Sequence, residues 1–99
     1  MSRSASMPDR PLFDLGKVLA TPGAIAALER FQVNHLVLLL RHQCGDWGDV
    51  SPADSKENHR AAKSRCRILS SYPIGETTRI WIITEADRSV TTLLLPDEY

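Results

Sequence analysis

The sequence predicts an α+β fold: two to three N-terminal helices packed on a C-terminal three-stranded antiparallel β-meander, with a short strand or extended arm before the first helix. Three observations predict it. Helix-start signals recur at Thr21-Pro22, Asn34 and Ser51-Pro52 in the first two thirds of the chain. β-Branched and aromatic residues concentrate in the last third. Turn-forming residues divide that last third into three runs. A chain of 99 residues suits one domain around one core. Its opening Met1 to Pro11 is small, polar and proline-bearing, so residues 1–11 read as a tail and 12–99 as the single domain.

Leu12 to Ala20 is mostly apolar and suits the strand or arm. Thr21 then serves as an N-cap and Pro22 as the first helical residue, with Ile25, Leu28 and Phe31 repeating along one face of a helix over 22–31. Asn34 caps a second helix, where Val33 and Leu38 have the spacing of a hydrophobic staple and Gly45 ends the run. Its Leu36 to Leu40 predicts burial almost all round. Ser51, Pro52 and Asp54 open a third helix that runs to Ser64, with only Ala53, Ala61 and Ala62 as a thin apolar stripe. Arg67–Tyr72, Thr78–Thr84 and Val90–Leu95 read as strands. Turns at Pro73–Glu76 and Glu85–Ser89 join them, and Pro96 stops the last.

Twelve basic and twelve acidic residues leave no net charge, so no whole-molecule field draws the chain toward nucleic acid or an anionic membrane. The longest apolar run, Leu36 to Leu40, is too short to span a bilayer, and the N-terminal residues lack the pattern of a signal peptide. The expected location is the cytoplasm. Cys44 and Cys66 have neither disulfide-framework nor metal-knuckle spacing and read as free thiols. No motif calls for a cofactor or a metal ion.

Two stretches carry a resemblance: Arg41-His42-Gln43-Cys44-Gly45-Asp46-Trp47-Gly48-Asp49, and Trp81 to Pro96 with its Trp-Ile-Ile-Thr-Glu-Ala-Asp-Arg-Ser core. Together with Ala20 to Ala24 they resemble a family of small, uncharacterised, plasmid-related bacterial proteins, sometimes labelled type I restriction subunits. The resemblance spans about Leu12 to Tyr99 and implies an accessory role on a mobile genetic element. Arg65 departs from the pattern, which implies a glycine and a tight turn before the first strand of the meander.

Four constellations are candidates for function. The loop Gly45-Asp46-Trp47-Gly48-Asp49 offers an aromatic recognition surface flanked by Asp46 and Asp49, or a tryptophan folded back to cap the core. His42 and His59, with the same aspartates, contain the residue types of a zinc site or an acid–base pair, without the spacing that would demand one. Arg60, Lys63, Arg65 and Arg67, with Lys56 nearby, form a basic strip for phosphates, although no aromatic is interleaved to stack bases. Glu85 to Ser89 places acids and Arg88 at a hairpin tip, where a local Asp87–Arg88 pair is the simplest expectation and the edge of a small ribonuclease-like toxin the alternative.

Alternation along the middle strand sends Ile80 and Ile82 to one sheet face and Arg79, Trp81 and Ile83 to the other. Two apolar faces require either helices on both or an interface on one. The leading expectation is therefore a non-enzymatic protein-binding module, monomeric or homodimeric. It contacts an unidentified protein partner through Trp47, Asp46 and Asp49 or through Trp81. Nucleic-acid binding by Arg60 to Arg67 is the second reading and a ribonuclease the third.

Overall fold

A computed structural model describes residues 11–99; the expected tail, apart from Pro11, lies outside the described residues. The elements run β1 (Lys17–Ala20), α1 (Pro22–Arg30), α2 (His35–Gln43), α3 (Pro52–Ser64), β2 (Ile68–Pro73), β3 (Arg79–Thr84), β4 (Val90–Leu94) and a closing 3₁₀ turn (Pro96–Glu98). The fold is α+β, and the sheet is larger than the meander. β2, β3 and β4 pair antiparallel as expected, but β1 adds in parallel to β4, giving a mixed four-stranded sheet of order β1-β4-β3-β2. A parallel pair needs a long connection, and here it is the whole run from α1 through β3 that separates β1 from β4.

The helix starts follow from their caps. Thr21 Oγ1 accepts from the Ala24 N–H at 3.1 Å, Asn34 Oδ1 from Leu36 N–H at 2.9 Å, and Ser51 Oγ from Asp54 N–H at 3.0 Å. Each satisfies a first-turn donor that the helix cannot satisfy itself. Helix α2 ends at Cys44, and Gly45 at φ +92° turns the chain away.

All three helices lie on the same sheet face. Leu28 of α1 and Leu38 and Leu39 of α2 pack with Tyr72, Ile80, Ile82 and Leu93. Ala61 of α3 joins Phe13, Trp47 and Ile68 in an adjoining cluster. The even-numbered residues of β2 and β3 are therefore fully buried, as alternation requires. Helix α2 is not buried all round. Leu36, Val37 and Leu40 are 61%, 53% and 54% exposed, because a helix laid on one sheet face can bury only the stripe that meets it.

The two outer edges of the sheet differ. Along β2, Ser71 N–H donates to Trp47 O, Ser71 O accepts from Asp49 N–H, and the Asn58 amide bonds both the carbonyl and the N–H of Leu69. Along β1 the Lys17 and Thr21 N–H groups turn inward to Ser89 O and Leu93 O. Val18 and Ala20 therefore direct their backbone groups outward, and among the described residues no strand pairs with them.

Candidate functional site

The sheet face opposite the helices carries the odd-numbered residues of β2 and β3 and, paired with them, Thr92 and Leu94 of β4, and it supplies the candidate site. Ile83 and Leu94 are buried on it at 4% and 6% exposure, whereas Trp81 is half-buried. The chain turns at Pro96 and brings Tyr99 to Trp81, with ring centroids 5.8 Å apart and an edge-on angle of 66°. The Arg67 guanidinium lies 5.8 Å from the centre of the Tyr99 ring. Arg79 borders the same face and pairs with Asp49 at 2.7 Å. Two aromatic rings and two arginines thus sit together on the face that α1, α2 and α3 leave uncovered.

The second candidate, the glycine–tryptophan loop, is split by the fold. The Trp47 ring is only 3% exposed: it stacks on Phe13 at 6.2 Å and meets His42 and His59 edge-on. Its indole belongs to the core, so a partner arriving from solvent does not meet it. The ring goes inward because Gly48, at φ +76°, lets the loop run against β2, where a Cβ would come 2.2 Å from Ser71 O. Asp46 and Asp49 also separate. Asp46 forms a two-pronged pair with Arg41 at 2.7 and 3.3 Å, and that hydrogen bonding holds its carboxyl below the usual range. Arg41 in turn lies over the Tyr72 ring, whose hydroxyl donates to Asp46 O at 2.7 Å.

The two histidines do not converge. His42 is fully buried, its Nδ1 2.6 Å from Ser70 Oγ and its Nε2 2.9 Å from Thr84 Oγ1, while His59 is exposed on the far side of the indole. Burial, reinforced by the charge of Arg88, pushes the His42 pKa down to about 3. The imidazole is therefore neutral and enclosed at neutral pH. Among the described residues no group of three or more His, Cys, Asp and Glu side chains is placed to share a metal ion. Cys44 and Cys66 are unpaired.

The basic strip spreads over different surfaces. Arg60 and Lys63 lie along α3 with Lys56, and Arg60 donates to Glu57 at 2.8 and 3.0 Å. Arg65 sits beyond the helix as its cap, and Arg67 turns to the face of the sheet opposite the three α-helices. Arg65 takes φ 58° and ψ 50°, so the left-handed turn implied by a glycine there is present with an arginine in it.

The hairpin tip also differs from expectation. Arg88 does not pair with Asp87, which instead accepts from the Ser89 hydroxyl and N–H. Arg88 is 9% exposed and donates to Ala61 O, Cys66 O and Glu85 O at 2.8, 2.7 and 3.1 Å. Its guanidinium closes the C-terminal end of α3, where the helix dipole favours a cation. The reversal comes from φ +61° at Arg88, which turns the side chain inward. Sequence reasoning missed both this tie and Tyr99. For Tyr99 the signal was present in Pro96-Asp97-Glu98, whose proline and acids favour a helical turn that reverses the chain.

Comparison with protein-family models, curated proteins and solved structures gives no match. No helix among the described residues is long and apolar enough to cross a membrane.

Proposed function

We propose that this chain is a non-enzymatic protein-binding module whose contact surface is the sheet face opposite the three α-helices, centred on Trp81 and Tyr99. The observation that carries the reading is the placement of these two rings beside Arg67 and Arg79 on the sheet face that α1, α2 and α3 leave uncovered. Tyr, Trp and Arg are the residues that dominate protein interfaces, because they combine large apolar area with a directional polar group. Arg67 favours a partner segment that presents a carboxylate beside apolar side chains, whereas Arg79 is already held by Asp49. The neutral, enclosed imidazole of His42 leaves that residue with a structural role, which further supports a non-enzymatic reading. Service as an accessory of a mobile genetic element belongs to the same proposal and rests on the sequence resemblance alone.

The test uses the two tryptophans. In a Trp47→Phe background only Trp81 fluoresces, and a partner captured from a bacterial lysate should blue-shift its emission and shield it from acrylamide. Trp81→Ala with an unchanged circular dichroism spectrum should lose that partner. A folded Trp81→Ala protein that retains every wild-type partner removes the reading.

A further inference from the structure

The two edges of the sheet are treated oppositely, and the open one matches itself. On β2 the outward groups at Leu69 and Ser71 are bonded by Asn58 and by the 47–49 loop. On β1 the outward groups of Val18 and Ala20 have no strand beside them among the described residues, and all four residues of the strand are exposed. An open apolar edge is a template for another strand. Beside it runs a groove of about 690 Å³ whose walls include Val18, Ala20, Ile25, Glu29 and Val33.

Apolar side chains flank the edge: Val18, Leu19 and Ile25 are between 40% and 47% exposed.

We propose that β1 pairs antiparallel with β1 of a second copy about a two-fold axis through Leu19. Parity selects this register. Only Val18 and Ala20 point their backbone groups outward, so pairing Val18 with Ala20 of the other copy, twice, uses every free donor and acceptor of the strand in four hydrogen bonds. Leu19 then meets Leu19 as a non-hydrogen-bonded pair. Lys17 falls opposite Thr21 of the other copy, whose hydroxyl already donates to the Glu98 carboxylate at 2.5 Å. The axis thus brings Lys17 to Glu98 twice, a charge match that a strand of arbitrary sequence would not offer. The product is an eight-stranded sheet with all helices on one side and two Trp81 faces side by side on the other. This inference is independent of what those faces bind.

Sedimentation of the wild-type protein at about 100 µM, with cross-linking of cysteine variants, tests it. The expected mass is twice the 11.0 kDa of the chain. In a Cys44→Ser, Cys66→Ser background, Leu19→Cys should oxidise to a covalent dimer, because the paired Cα atoms lie about 4.5 Å apart. Val18→Cys should not, because its two copies stand diagonally at about 7–8 Å. Lys17→Glu should weaken association threefold to tenfold, an effect that shrinks in high salt. A wild-type protein that stays monomeric overturns the proposal, and so does a dimer in which Val18→Cys cross-links and Leu19→Cys does not.

Discussion

His42 Nε2 stands 2.9 Å from Thr84 Oγ1, and the hydrogen-bond chain beyond Thr84 determines which ring nitrogen carries the proton. Thr91 Oγ1 donates to Leu15 O at 2.7 Å, so between the two threonines Thr84 is the donor and Thr91 the acceptor. Thr84 must then accept from His42 Nε2–H. Nδ1 is left as the acceptor for the Ser70 hydroxyl at 2.6 Å. The histidine links β2, β3 and β4 from beneath α2 as a neutral ring.

Acid should therefore destabilise the protein through His42. Its pKa is about 3 when folded against 6.5 ordinarily, so between those values the unfolded chain binds more protons. The contribution is fully present above pH 6.5 and falls by roughly 1.4 kcal/mol per pH unit as pH drops toward 3. Urea titrations from pH 7 to 4 should show the slope, and His42→Asn or His42→Gln should flatten it. Nitrogen NMR at pH 7 should show the Nε2–H tautomer.

Arg88 should matter more to stability than its hairpin position suggests. Arg88→Ala leaves the Ala61, Cys66 and Glu85 carbonyls without their shared donor, at a cost of about 2–3 kcal/mol. Arg88→Lys should recover less than half, because an ammonium cannot span three carbonyls as a planar fork does. Chemical denaturation of the three proteins measures the difference, and equal stability of all three would refute the tie.

Backbone conformation predicts two substitutions of opposite sign. Gly48→Ala puts a Cβ against Ser71 O and should cost more than about 2 kcal/mol, with hydrogen exchange quickening along the β2 edge. Arg65→Gly relieves a left-handed arginine and should add about 0.5–1 kcal/mol, raising Tm by a few degrees. Thermal unfolding of both variants reads the two signs.

Much of the local architecture was legible because its causes are local. The caps at Thr21, Asn34 and Ser51 and the even–odd alternation around Trp81 each depend on a few adjacent residues. The candidate face was legible in part. Trp81 could be assigned to it by alternation, whereas Arg67 and Tyr99 join it only through contacts made across the folded chain. The loop was ambiguous for a physical reason: tryptophan between glycines suits a surface anchor and a core cap equally, and only the packing of Phe13, His42 and His59 around it decides.

By itself, then, the sequence determined the element types, their starts and the sidedness of β3, since capping and periodicity act within a turn or two of chain. The tertiary structure alone decided that β1 joins β4 in parallel, that Leu36 and Leu40 face outward, and that Arg88 turns in to close α3. Each of these is a choice of neighbour between segments far apart in sequence. Such choices depend on which surfaces and carbonyls the rest of the fold leaves to be covered, and no local pattern records that.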